Sequence, residues 1–375
     1  MTGSRDPAAT PTMADLDQRD SWARLDPSGL RHRLRGLPVQ CQAGWLQGGA
    51  LQPSAHSAAG EVNKVVVCGM GGSAIAGNLI SDLVGATASH GRPTPPVIVV
   101  RGMEFPFALD RDSLVITCSF SGETGETISL FHRALDAGAR LIVVAGGGRL
   151  AQEAGNRGLP LLKIEIPGEP RSAVGYSLML LTAAFGRLGL AEVTDPQVDD
   201  AVACLERRVA GLAEDVPTQD NLAKQLALAL DDRIIAVYGG GLFSGMARRW
   251  KTQLNENGKA WAFFEEVPEM LHNAVEVFAP PVGASEGMTA LLLKPSLGND
   301  PLAPHYATVE DALDRGGTPF KVLAGEPEDG PLAQLLGMMA LGDYVSYYLA
   351  ISKGLDPSSI PGITHSKDFL GGQTS

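Results

Sequence analysis

The sequence predicts an α/β protein built in two halves, each a parallel sheet covered by helices on both faces in three layers. Three observations predict it. Short continuous apolar runs rich in Val and Ile recur along the chain, as strands buried on both faces require. Stretches with helical spacing separate most of them. A rhythm of strand, glycine turn and helix that begins at Gly69 restarts at Gly239, a repeat of architecture without a repeat of sequence.

Taken in order, residues 1–20 carry no core-forming pattern and are expected to be a disordered tail. "LDPSGLRHRLRGLPVQCQAGWLQ" reads as an amphipathic helix with Asp26 or Ser28 as N-cap, interrupted near Pro38. "NKVVVCG", "PVIVVRG", "SLVITCSFS", "RLIVVAGGG" and "LLKIEI" read as buried strands of a first unit, residues 21–194. An Asp-rich helical stretch from Pro196 to Leu230 leads into a second unit, residues 195–375. There "RIIAVYGGG", "WAFFEE", "AVEVFAP", "MTALLLKP" and "PFKVLAGE" read as strands, and "PLAQLLGMMALGDYVSYYLAISKG" as a long apolar helix.

The 375-residue chain has a net charge of -12, which argues against a nucleic-acid partner, because phosphate backbones need a basic face. An anionic ligand must then be held by local donors. The four cysteines have no CxxC spacing, and Cys68 and Cys118 fall inside apolar runs, as buried thiols of a reducing cytoplasm would. The opening residues lack the apolar stretch of a secretory leader, and no run approaches the ~18 apolar residues of a membrane span. His32, His56, His90, His132 and His305 show no metal-ligand spacing, so a zinc enzyme is not expected; no cofactor is expected.

Two turns in the first unit carry chemistry. "CGMGGSAIAG" places Gly69, Gly71, Gly72 and Ser73 where a strand hands over to a helix, whose free N–H groups and dipole favour an anion. "SFSGETGET" places Ser119, Ser121, Gly122, Thr124 and Thr127 at the end of another strand, where hydroxyls and amides can hold one phosphate without a lysine. Either turn has a plainer reading, as tight packing or as a helix cap with Ser121 or Thr124. The first also fits a loose dinucleotide fingerprint. The acidic residue that fingerprint needs after the next strand is missing, since "VIVVRG" ends in Arg101 and Gly102.

"GMGGSAIAG" followed by "SFSGETGET" resembles the sugar isomerase (SIS) domain family, which binds phosphosugars. "PRSAVGYS", then "NENGKAWAFFEEVPEMLHN", then "THSKDFLGG" resemble, in that order, the bifunctional phosphoglucose/phosphomannose isomerases. The resemblance implies two SIS-type subdomains, each with a five-stranded parallel sheet flanked by helices. It implies a phosphate site at Gly72, Ser73, Ser119, Ser121 and Thr124, and catalytic groups at Arg171, Glu256, His272 and Lys367. It also implies a metal-free homodimer whose histidine reaches the site from the second chain. Glu123 departs from the pattern, where the family often has Asn.

These residue types suit aldose–ketose isomerisation through a cis-enediol. One carboxylate, Glu256, can take a proton from one carbon and return it to the next. A fixed guanidinium, Arg171, can hold the developing enediolate. An imidazole, His272, with Lys367, can open the sugar ring near neutral pH. The plainer readings are a solvated helix glutamate, an Arg171 paired to Glu169 or Glu165, an interface histidine and a surface lysine. Thr364 and His365 are further candidates. The expectation is a cytoplasmic isomerase of glucose 6-phosphate or mannose 6-phosphate with fructose 6-phosphate. The alternatives are a non-catalytic phosphosugar sensor, an amidotransferase-type synthase and a dinucleotide oxidoreductase.

Overall fold

A computed structural model describes residues 15–18, 22–52, 62–88, 94–278 and 287–373. Most of the expected N-terminal tail, together with His56 and His90, lies outside them. Helices α1 (Trp22–Leu25), α2 (Leu30–Arg35) and α3 (Leu37–Gly49) open the chain. The Asp26 carboxylate accepts the N–H groups of Leu30 (2.7 Å) and Arg31 (3.0 Å), capping α2 from outside it. Pro38 stands in the first turn of α3, where a missing N–H costs nothing.

The first sheet holds β1 (Lys64–Cys68), β2 (Val97–Val100), β3 (Ser113–Ser119), β4 (Arg140–Ala145) and β5 (Leu161–Lys163). The strands are parallel in the order β2-β1-β3-β4-β5. Helices α4 (Gly71–Thr87), α5 (Gly125–Asp136), α6 (Gly148–Asn156) and α7 (Val174–Arg187) connect or follow them. The continuous burial of β3 is why its sequence reads as one unbroken apolar run. The chain leaves β1 towards β2 on one side and returns to β3 on the other. The crevice beyond the carboxyl ends of β1 and β3 is therefore the switch point where open α/β sheets place ligands.

Helices α8 (Asp195–Leu212) and α9 (Leu222–Ala229) lead to the second sheet, of β6 (Ile234–Gly239), β7 (Ala262–Glu266), β8 (Met288–Lys294) and β9 (Phe320–Ala324). It too is parallel, in the order β7-β6-β8-β9, with α10 (Ser244–Glu256) and α11 (Ala303–Arg315) between strands. The fold class is as expected, but the second sheet has four strands among the described residues, not five. "AVEVF" forms a 3-10 turn, Ala274–Phe278. Its alternation of Val and Glu reads as a strand. In the fold Phe278 is buried edge-on against Tyr238 (6.3 Å) while Val277 stays half exposed, so a helical turn satisfies its burial.

Helix α12 (Pro331–Ser352) is buried nearly all round. It packs against α8, α9 and α10 and joins the cores of the two sheets into one cluster. Each large apolar side chain sunk there contributes about 1.5–3 kcal/mol. The last helix, α13 (Pro361–Gln373), is exposed along its length through Leu370. The four cysteines are free; burial pushes the Cys118 thiol up to about 12. Among the described residues no helix is long and apolar enough to cross a membrane.

Candidate active site

The two hydroxyl-rich turns lie side by side because β1 and β3 are neighbours, with Cys68 opposite Thr117. A Cβ on Gly69 would stand 2.9 Å from the Cys118 carbonyl oxygen, so only glycine permits that approach. Met70 precedes α4 in an extended conformation, leaving the first amides of the helix, at Gly71 and Gly72, at the mouth of the crevice, while the Ser73 N–H donates to the Met70 carbonyl (3.1 Å). In the second turn, buried Ser119 shapes the loop. Its hydroxyl accepts the Gly122 N–H (3.0 Å) and donates to Thr124 Oγ1 (3.1 Å). Ser121 is exposed and Thr124 half buried. Ser73 lines a small pocket with Cys118 and Ser177.

Glu123, the departure from the expected pattern, is turned away from this cradle. Its Oε1 accepts the Arg149 N–H (2.7 Å) in the first turn of α6. A carboxylate there is stabilised by the helix dipole, so it does not oppose an anion on the other side of the loop.

Arg171 sits in a short 3-10 turn, Pro170–Ser172, between β5 and α7 and is only 6% exposed. That turn meets the first cradle directly, since a Cβ on Gly72 would stand 2.7 Å from the Pro170 carbonyl oxygen. Two hydrogen bonds fix the guanidinium. Nε donates to Asn257 Oδ1 (2.8 Å), Nη2 donates to the Ser358 carbonyl (2.6 Å), and Nη1 lies 3.9 Å from Glu256 Oε2. Glu169 approaches Nη2 at 3.6 Å but is held more closely by Arg33, at 2.9 Å. Glu165 pairs with Lys163.

Glu256 is the last residue of α10 and keeps about a quarter of its side chain open. The "NEN" triplet now makes sense residue by residue. Asn255 Nδ2 donates to the Ala260 carbonyl (2.9 Å), tying the helix end to the segment that becomes β7. Asn257 is fully buried against Arg171. The two amides fasten the backbone on either side and leave the carboxylate between them unfastened.

Sequence reasoning missed Lys259. It takes a left-handed backbone (φ 50°), and its ammonium donates to the Glu256 carbonyl and to the Pro357 carbonyl (3.4 Å). Burial, with the Arg171 charge nearby, pulls its pKa below the ordinary lysine range, against the opposing pull of Asp356 and Glu256. Asn257 was missed as well. Both lie in the quoted motif, but their partners are far away in the chain, so spacing carries no signal of them.

His272 and Lys367 both lie at the surface of the chain. His272 ends a 3-10 turn after β7 and is exposed. Lys367, Thr364 and His365 lie on exposed α13. Among the described residues no hydrogen bond or ion pair joins His272 or Lys367 to Arg171 or Glu256.

The matching turn of the second sheet is closed. Tyr306 Oη accepts the Gly240 N–H (2.7 Å) and lies 3.0 Å from the Leu293 carbonyl. Leu302 covers Gly240 and Gly241. The repeat of architecture thus leaves one open cradle.

A bifunctional phosphoglucose/phosphomannose isomerase of Caldicellulosiruptor bescii is 33% identical over 340 residues, which span 89% of this chain and 96% of that protein. The chain belongs to the bifunctional phosphoglucose/phosphomannose isomerase family. Its counterpart from Aquifex aeolicus is 30% identical, across 82% of this chain and 90% of that one. Residues 219–370 match the bacterial phospho-glucose isomerase C-terminal SIS domain. A hypothetical protein of Thermus thermophilus, of solved structure, superposes with a TM-score of 0.71 at 17% identity, covering 96% of this chain and 94% of that chain, which shows the shared fold.

Proposed function

We propose that the protein is an aldose–ketose isomerase that interconverts glucose 6-phosphate and mannose 6-phosphate with fructose 6-phosphate. The observation that carries this reading is the Arg171–Glu256 approach, 3.9 Å, set beside the helix-terminus cradle that Gly72 joins to the Pro170–Ser172 turn. The cradle at Gly72, Ser73, Ser119, Ser121 and Thr124 holds the phosphate, Ser119 by bracing the turn that presents Ser121 and Thr124. Glu256 moves the proton between C1 and C2 of the open-chain sugar, first as base and then as acid. Arg171 holds the enediolate oxygen. Phosphate anchoring keeps the two carbons against the carboxylate. Glucose and mannose 6-phosphate differ at C2, the carbon Glu256 reprotonates, so one site serves both.

In this reading the protein works in the cytoplasm as a homodimer. His272, assisted by Lys367, opens the sugar ring from the second copy. Two features support it. His272 and Lys367 are exposed, and stacked Trp261 and Phe263 (6.2 Å) are exposed at the start of the edge strand that leads to His272. Phe369 and Leu370 add exposed apolar surface on α13.

The test is incubation with fructose 6-phosphate and separate assay of glucose and mannose 6-phosphate, with and without EDTA. Both aldoses should form at rates EDTA leaves unchanged. Binding of fructose 6-phosphate without any aldose product would make the protein a sensor instead. Inactivation by EDTA reversed by zinc would place the chemistry in a different class.

A further inference from the structure

Arg171 is anchored by a buried polar chain that runs from α12 through α10. The Arg249 Nη2 atom lies 2.7 Å from both oxygens of Asp343, and neither side chain is more than 3% exposed. The same nitrogen donates to the Arg171 backbone carbonyl (3.2 Å). Gln253 Nε2 donates to Asp343 Oδ1 (2.8 Å). One turn along α12, the Ser346 hydroxyl donates to the Asp343 carbonyl (2.9 Å) and accepts from Asn257 Nδ2 (3.2 Å). Asn257 Oδ1 in turn accepts Arg171 Nε–H (2.8 Å).

The amide orientation follows from its neighbours. A guanidinium can only donate, so the atom facing Nε is the oxygen. The Ser346 proton is spent on a carbonyl, so its lone pair faces the Asn257 NH2. A guanidinium is planar, so fixing Nε and Nη2 fixes where Nη1 points. Asn257 holds Nε, the Ser358 carbonyl holds Nη2, and Nη1 is left facing Glu256.

Resting on the isomerase reading above, we propose that Asn257 is a positioning residue, which sets the plane of the Arg171 guanidinium over the reacting carbons and draws its own orientation from Ser346, while Arg249, paired with Asp343, holds the Arg171 backbone. The plainer role, ending α10, is met by the Asn257 backbone, whose N–H donates to the Gln253 carbonyl (2.8 Å); the side chain takes no part in it. A guanidinium misplaced by about 1 Å costs about 10²-fold in turnover. Substrate binding, anchored at the phosphate, is spared.

The test is a double-mutant cycle with fructose 6-phosphate as substrate. Asn257→Ala should lower kcat about 10²-fold and change KM less than about threefold. In an Arg171→Lys background, which has no Nε–H to hold, the same substitution should cost less than about threefold further. Ser346→Ala keeps Asn257 in place and loosens it. It should lower kcat about three- to tenfold, and it decides the matter if Asn257→Ala fails to fold. Equal losses in both backgrounds, a rise in KM with kcat intact, or an unchanged Ser346→Ala enzyme would overturn the positioning role and leave the isomerase reading standing. A wild-type chain without turnover would overturn that reading and this proposal with it.

Discussion

The Arg171 guanidinium stands 3.9 Å from the Glu256 carboxylate, so the turn after the first sheet and the end of α10 in the second unit meet at one point. The two charges come from elements that follow different sheets. Glu256→Gln keeps the shape and removes the proton carrier. Turnover of fructose 6-phosphate should fall by about 10³-fold or more, while affinity for the sugar phosphate, read by calorimetry, should change little. Near-normal turnover in that variant would remove Glu256 from the chemistry.

The cradle predicts the opposite kinetic signature. Ser121 and Thr124 are the hydroxyls of the second turn that solvent, and so a phosphate, can reach. Losing one hydrogen bond to a charged group costs about 1.5–3 kcal/mol. Ser121→Ala and Thr124→Val should each raise KM about tenfold or more and alter kcat far less. A fall in kcat at constant KM would move these hydroxyls from anchoring to chemistry.

Gly72 is where the phosphate turn touches the arginine turn. In Gly72→Ala the new methyl would meet the Pro170 carbonyl at 2.7 Å and push the two apart. The strain should cost about 1–3 kcal/mol in urea unfolding. Activity should fall more than stability explains, because the cradle and Arg171 lose their register. Gly71→Ala is a poor control, since Gly71 has a left-handed backbone (φ 50°). Gly49→Ala, with open space at that position, is a good one and should leave activity unchanged.

At the joint between the units, Asp82 on α4 accepts the Gly245 N–H in the first turn of α10 (2.6 Å). Burial pushes its carboxyl well above the usual carboxylate range. The Gly245 N–H opposes that shift, and Glu266 adds to it. With the folded pKa raised, the folded state holds the proton more tightly than the unfolded chain. The stability so gained is complete below the unfolded value, about 3.9, and is lost as pH rises through the folded value. Asp82→Asn keeps an oxygen for Gly245 and has no proton to lose. Urea midpoints across pH should show the variant gaining on the wild type as pH rises from about 4. A gap that does not vary with pH would contradict the assignment.

The strands β1, β3, β4 and β6 could be read from the sequence because burial on both faces writes itself as an unbroken apolar run. The two Ser/Gly turns were readable for a related reason: a glycine required by close approach, as at Gly69 against Cys118, stays visible as a glycine. The parts that were not readable are long-range and polar. Asn257 facing Arg171, Arg249 facing Asp343, and Lys259 lying between the ends of α10 and the loop after α12 are partnerships of tertiary packing, which no local period records. "AVEVF" misled because alternation over so short a stretch is satisfied equally by one buried Phe278 in a helical turn. For His272 and Lys367, the sequence motifs gave a role, while in the fold of one chain both are exposed.

Proton transfer by Glu256 is tested most directly by converting fructose 6-phosphate in D2O and reading the aldose phosphate products by NMR. A carboxylic acid formed on Glu256 returns its proton in competition with exchange, so over repeated reversible turnover deuterium should build up at C2 of both glucose and mannose 6-phosphate, and Glu256→Gln should show neither product nor label. Products still free of deuterium at C2 after many turnovers would mean a direct hydride shift, and label entering at the wild-type rate in Glu256→Gln would mean another base; either result would contradict the account.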